Sequence, residues 1–175
     1  MQKIIVNKIA RIVKSKKKLA EELKVKIEMR GKEIYISGES EQEYIAVKVI
    51  EALDFGFPFA DALEIKGEDV IFEIMNIKDH TNKKNLERVR GRIIGKGGKA
   101  LKTLSNLSEC HIEILENKIG IIGESERIQG VEESLKLLIN GSKHSNVYAY
   151  LEKHRIHPIV DLGLKETNTK KIKEE

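Results

Sequence analysis

Gly91-Arg92-Ile93-Ile94-Gly95-Lys96-Gly97-Gly98-Lys99 places four glycines and three cations within one short stretch, between two segments of helical spacing. Upstream, Leu86, Val89 and Ile93 lie three and four apart, on one face of a helix that must stop at the glycines. Downstream, Leu101, Leu104 and Leu107 share a face of a second helix that begins at Gly98. A glycine at either end of the Gly95–Gly98 turn lets backbone approach an anion where side chains would collide. Lys96 and Lys99 add charge, and the amide groups opening the second helix face the anion. The turn therefore has the makings of a phosphate cradle. In isolation, Gly-x-x-Gly is equally a helix–turn–helix glycine pair with no ligand.

What surrounds the turn narrows that choice. Val70 to Ile77 alternates, with Ile71, Glu73 and Met75 against Phe72, Ile74 and Asn76, and predicts a strand. Beyond the second helix, Cys110-His111-Ile112-Glu113-Ile114 and Ile119-Gly120-Ile121-Ile122 predict two strands joined by a tight turn at Glu116-Asn117-Lys118. Ile128, Val131, Leu135 and Leu138 form the stripe of a last helix ending at Asn140-Gly141. The order is strand, helix, helix, strand, strand, helix. In a type I KH module, that is where the Gly-x-x-Gly clamp on the nucleic-acid backbone sits.

Laying Ile9 on Ile94 and Gly56 on Gly141 superposes the chain on itself. Across that stretch 14 of 48 positions match without a gap, including Gly38-Glu39-Ser40-Glu41 on Gly123-Glu124-Ser125-Glu126. The chain therefore reads as two copies of one module: an α+β protein of two tandem type I KH modules. Each is expected to be a three-stranded antiparallel sheet with three helices on one face. The modules are expected over 1–67 and 68–160, with a short helix near Phe59, Ala62 and Leu63 between them. A terminal helix over 146–154 and a charged, frayed tail over 161–175 complete the chain. The first copy has Ala10-Arg11-Ile12-Val13 or Lys14-Ser15-Lys16-Lys17 opposite the clamp, with no glycine. It should keep the fold without the close backbone approach. Any RNA that it touches would be held by Lys14, Lys16, Lys17 and Lys18 as point charges, and a solvated lysine face is an equal alternative.

The net charge of +4 hides segregation. Residues 1–32 carry eleven cations and three anions, 39–73 two and ten, 79–103 eight and two, and 104–164 six and nine. The second basic block coincides with the glycines. The expected RNA-binding set is therefore Arg88, Arg90, Arg92, Ile94, Gly95, Lys96, Gly97, Gly98, Lys99, Lys102 and Ile112, with Ile94 and Ile112 as an apolar floor for bases. If the clamp lysines and the three arginines meet about four phosphates, log affinity should fall with log salt at a slope near −3.

Other chemistries find no footing. A nucleotide P-loop needs four residues before Gly-Lys-Ser/Thr, but Gly91 to Gly95 encloses three, and Gly97 follows the lysine. The five histidines show no ligand spacing, His154 and His157 being a poor pair beside Pro158, so no metal or cofactor is expected. The lone Cys110 starts an apolar strand and reads as a small buried residue. No nucleophile has a matching base, so the chain is not expected to be an enzyme. With one cysteine and no apolar run of spanning length, a cytosolic protein is expected.

Three features together resemble the archaeal two-KH proteins of the partner-of-Nob family. They are Gly91 to Lys99, the strand end Ile121-Ile122-Gly123, and Gly141-Ser142-Lys143-His144-Ser145-Asn146-Val147-Tyr148 followed by Leu151-Glu152-Lys153-His154-Arg155. The resemblance covers the chain to about Pro158, including the glycine-less first copy. It departs at Ser108-Glu109-Cys110, where such modules usually have Thr-Gly and a small residue, and in the first copy, whose front helices read as shortened. It implies a ribosome-assembly factor that binds single-stranded RNA near the 3′ end of the small-subunit rRNA precursor and works beside the endonuclease that trims it. The rivals are a KH regulator of translation or RNA decay, and an adaptor whose acidic first module docks the nuclease or an initiation-factor subunit. On this reading residues 68–160 alone should retain most RNA affinity, and residues 1–67 little.

Overall fold

The computed structural model describes residues 1–155. The expected tail over 161–175, the end of the second module at 160 and His157 lie outside them. In chain order the elements are β1 (Gln2–Ile5), α1 (Ile9–Leu23), β2 (Lys26–Arg30), β3 (Glu33–Ser37), α2 (Ser40–Phe55) and α3 (Phe59–Leu63). Then come β4 (Val70–Asn76), α4 (Leu86–Ile94), α5 (Lys99–Ser108), β5 (His111–Leu115), β6 (Lys118–Glu124), α6 (Ser125–Asn140) and α7 (His144–Lys153). They build two three-stranded antiparallel sheets, ordered β1-β3-β2 and β4-β6-β5.

The repeat is visible in space. β2 and β5 open at Lys26 and His111, α2 and α6 at Ser40 and Ser125, each pair matched by the superposition of the sequence on itself, and α2 and α6 are equally long. The first half nevertheless departs from the expected module. Ile36 of β3 corresponds to Ile121 of β6, and these pair with Gln2 and Glu73 respectively. Gln2 thus stands where Glu73 does, whereas the register of the repeat would have laid it on Glu87, inside α4. The first half is shorter between its first two strands, and the second half uses that extra length for α4 and the glycine turn. The first half runs strand, helix, strand, strand, helix, and the second front helix expected from the sequence is absent. The cause is local: Ile9 to Leu23 contains neither glycine nor proline, so α1 continues unbroken until Lys24 turns left-handed at φ 54°. Asp54 on α2 caps α1 from outside, its Oδ1 accepting the backbone N–H groups of Asn7 at 2.8 Å and Lys8 at 2.6 Å.

Alternation along β6 decides how the halves join. Ile119 and Ile121 face the helices of the second half, in one core with Val89, Ile93, Leu104 and Leu135. On the opposite face Ile122, with Phe72 of β4, belongs to the core of the first half. There Phe55, Phe57 and Phe72 form an aromatic trio with ring centroids 5.7–6.0 Å apart. The sheet face left bare by α4, α5 and α6 is therefore covered by the end of α2 and the connection to α3. Among the described residues no helix is long and apolar enough to cross a membrane.

Candidate nucleic-acid interface

α4 starts at Leu86, where Asn85 Oδ1 accepts the Arg88 backbone N–H at 3.0 Å. It ends at Gly95, whose φ of +73° favours glycine. A Cβ there would stand 2.5 Å from Ala100 Cβ, so the turn can fold against α5 only with glycine at this position. Gly97 and Gly98 are also left-handed, at φ +61° and +76°, and the Gly98 N–H donates to Gly95 O at 3.2 Å. The result is a tight, exposed turn feeding the N-terminus of α5, with Lys96 at the surface and Lys99 beside it.

The turn opens onto a cleft of about 250 Å³. One wall is Gly98, Leu101, Lys102 and Ser105; the other is the edge strand β5, through His111, Ile112 and Glu113. An edge strand offers unpaired backbone donors and acceptors beside the cleft, and such groups can read bases. Ile112 is 5% exposed and belongs mainly to the core, while Ile94 is half-buried at the end of α4. Lys96, Lys99 and Lys102 have no ion pair among the described residues.

The three arginines of α4 do not join this cleft. Arg92 Nη2 donates to Gly141 O at 3.0 Å and to Ser142 O, while His144 Nε2 lies 2.9 Å from Arg92 O. This places a cation on the carbonyl end of α6 and fastens α4 to the start of α7. Arg90 Nη1 donates to Glu116 O at 3.2 Å in the β5–β6 turn. Arg88 faces a different depression, with Lys83, Lys84 and Arg92, whose Lys83 Nζ also donates to a carbonyl at the end of α6, that of Ile139 at 2.9 Å. Cys110 is buried, and burial pushes its thiol up to about 11, out of reach of thiolate chemistry.

One element of the site is invisible to sequence reasoning. Asp61, on α3 of the first half, lines the cleft of the second. His111 holds it there, Nδ1 lying 3.3 Å from Asp61 Oδ2 and Nε2 3.0 Å from Glu64 Oε2. Glu113 also lines the cleft; burial first, and then the Asp61 charge, pushes its carboxyl above the ordinary range. Asp61 and His111 belong to different halves of the chain, and no local pattern marks the pair.

Residues 71–156 match the second KH domain of PNO1, described as a eukaryotic-type KH domain (KH-domain type I). Over 147 residues the chain is 29% identical to a KH domain-containing protein of Methanocaldococcus jannaschii, covering 80% of this chain and 65% of that one. Over 108 residues it is 33% identical to the pre-rRNA-processing protein pno1 of Emericella nidulans, covering 59% of this chain and 42% of that one. The chain thus spans about two-thirds or less of the length of these relatives. Among solved structures it resembles a chain of the a/eIF2alpha–aDim2p–rRNA complex from Pyrococcus horikoshii. The TM-score is 0.79 at 27% identity, over 87% of this chain and 92% of that one.

Proposed function

We propose that this chain, which is similar to the PNO1 and Dim2 proteins and matches a type I KH domain over residues 71–156, is a single-stranded-RNA-binding ribosome-assembly factor. It binds near the 3′ end of the small-subunit rRNA precursor and assists a partner endonuclease, itself binding rather than cutting. The observation that carries this reading is the exposed Gly95–Gly98 turn, with Lys96, Lys99 and Lys102, which have no ion pair among the described residues, beside a cleft walled by the edge strand β5. Phosphates rest on the turn and the N-terminus of α5, and bases lie across Leu101 toward β5.

Crosslinking the protein to RNA in cells and sequencing what is recovered tests the proposal. Enrichment of the 3′ end of small-subunit rRNA precursor is expected; reads spread over messenger RNAs would move the assignment to the regulator of translation or decay. A protein-docking role for the first half draws support from a second cleft of about 270 Å³, where exposed Tyr44 and Glu41 of α2 face Ile71 of β4. It suits the endonuclease or an initiation-factor subunit, and co-purification of either, lost on Tyr44→Ala, is the corresponding test.

A further inference from the structure

The cleft beside the glycine turn is electrically divided. Lys102 lines its α5 side, with Lys96 and Lys99 on the adjoining turn and first residue of α5, while Asp61 and Glu113 stand on the β5 side beside His111. A strand with its phosphates on the cationic side must turn its bases toward the carboxylates. The fold holds this negative wall in place at two points. Phe57 seats its ring on Gly120 of β6, the residue paired with Glu113, and this anchors the connection to α3 against the sheet. His111, next but one to Glu113 on β5, then holds Asp61 and Glu64 through its two ring nitrogens.

Glu113 has no hydrogen-bond donor and no ion-pair partner among the described residues; it sits half-buried, with Asp61 disfavouring its charge and the cations Arg11 and Lys8 of the first half partly offsetting that. A phosphate cannot relieve such a group. Neutral N–H donors can, since a hydrogen bond to an ionised carboxylate is among the stronger ones in proteins.

Ionised carboxylates only accept, through two oxygens side by side. On its Watson–Crick edge guanine presents two adjacent donors, N1–H and the N2 amine. Adenine and cytosine each present one amine beside a ring nitrogen lone pair, and uracil one N–H between two carbonyl oxygens. Only guanine therefore sets two adjacent donors against the two oxygens of a carboxylate; every other base puts a lone pair in one of those places. We propose that Asp61 and Glu113 make the cleft guanine-selective, so that a residue of the first half determines the base preference of the second. The inference rests on the single-stranded-RNA reading given above.

The test uses the full chain and single-stranded hexanucleotides of uridine in which one central position is G, A, C, U or inosine, with affinity read by fluorescence anisotropy. For the unaltered protein, the guanine oligomer should bind about tenfold more tightly than the uridine one, as hydrogen bonds to a charged group suggest. Inosine, which lacks only the N2 amine, should lose much of that advantage. Asp61→Asn and Glu113→Gln each keep side-chain shape and replace one acceptor oxygen by a donor; both should level the preference between guanine and uridine. Glu113→Gln leaves the His111 contacts intact, so a loss of guanine preference there is not a loss of the joint between the halves. Equal affinity for all four bases, or a guanine preference that survives in the double variant, overturns the proposal. If that happens while Lys96→Asp still abolishes binding, the RNA-binding reading stands. If the unaltered protein binds none of the oligomers, both readings fall.

Discussion

Gly120 of β6 lies directly under the ring of Phe57: a Cβ on the glycine would stand 2.7 Å from Phe57 Cε2 and 2.8 Å from Phe55 Cε1. Gly120 and Phe57 are remote in sequence, and they meet where the two halves join. Gly120→Val should therefore cost about 1–3 kcal/mol, as overpacked cores do. Urea unfolding of the variant should show a lower midpoint; an unchanged midpoint would mean that the halves are not packed as described.

The same joint bears on dissection. A fragment starting at residue 68 uncovers Phe72, Ile122 and Leu115, which the first half covers in the intact chain, and also removes Asp61. Contrary to the expectation from sequence that residues 68–160 suffice, this fragment should self-associate or bind a hydrophobic dye. Size-exclusion chromatography and dye fluorescence decide, a well-behaved monomer with native RNA affinity being the contrary outcome.

At the turn, glycines differ in what they tolerate. Gly97 has open space around its would-be Cβ, so Lys96→Asp with Gly97→Asp should fold, at a cost of about 1 kcal/mol for the left-handed aspartate, and lose RNA binding. Gly95→Ala collides with Ala100 and should lower stability as well. Thermal melts paired with RNA titrations separate the two effects, and retained RNA affinity in the folded double variant would sink the clamp.

With Arg90 and Arg92 tied to backbone carbonyls and Arg88 turned to another depression, three lysines remain, Lys102 in the cleft and Lys96 and Lys99 at the adjoining turn. The slope of log affinity against log salt should therefore be about −2, at roughly −0.7 per contact on a single strand, rather than −3. Arg92→Ala should lose about 1–3 kcal/mol of stability, because it strands carbonyls at the end of α6, while RNA affinity of the folded protein stays near normal. A large affinity loss with no change in stability would restore Arg92 to the binding surface.

Two carboxylates should tilt stability with pH in opposite directions. Glu43 accepts a hydrogen bond from the chain's N-terminal ammonium at 2.9 Å and from the Gly38 N–H at 3.0 Å, which hold its carboxyl below the ordinary value of 4.5. Its contribution is present above pH 4.5 and is lost as pH falls through the lowered folded value, so Glu43→Gln should flatten the acid limb. Glu73 is pushed up by burial and by Glu132, so the folded chain holds its proton more tightly than the unfolded chain. It gains stability as pH falls through that raised value, and Glu73→Gln should stabilise the protein near pH 7. Chemical denaturation between pH 3 and 8 checks both signs.

Local signals were enough for much of the molecule. The helical spacing of Leu86, Val89 and Ile93, the glycines that end it, and the alternation of β4 and β6 depend on neighbours close by in the chain. The sequence could therefore locate the glycine turn and the order of elements along the second half, and the internal repeat that relates α2 to α6. What depends on contacts far along the chain was decided only by the tertiary structure. A helix without a breaker does not reveal that a second helix and a glycine turn are missing from its half, so the expected pair of front helices proved to be one continuous α1. A cation count cannot tell a lysine facing solvent from an arginine spent on the carbonyl end of another helix, as Arg92 is on α6. Nor does any periodicity link Asp61 to His111, because what joins them is the packing of Phe57 on Gly120, a complementarity of shape that exists only once both sheets have formed.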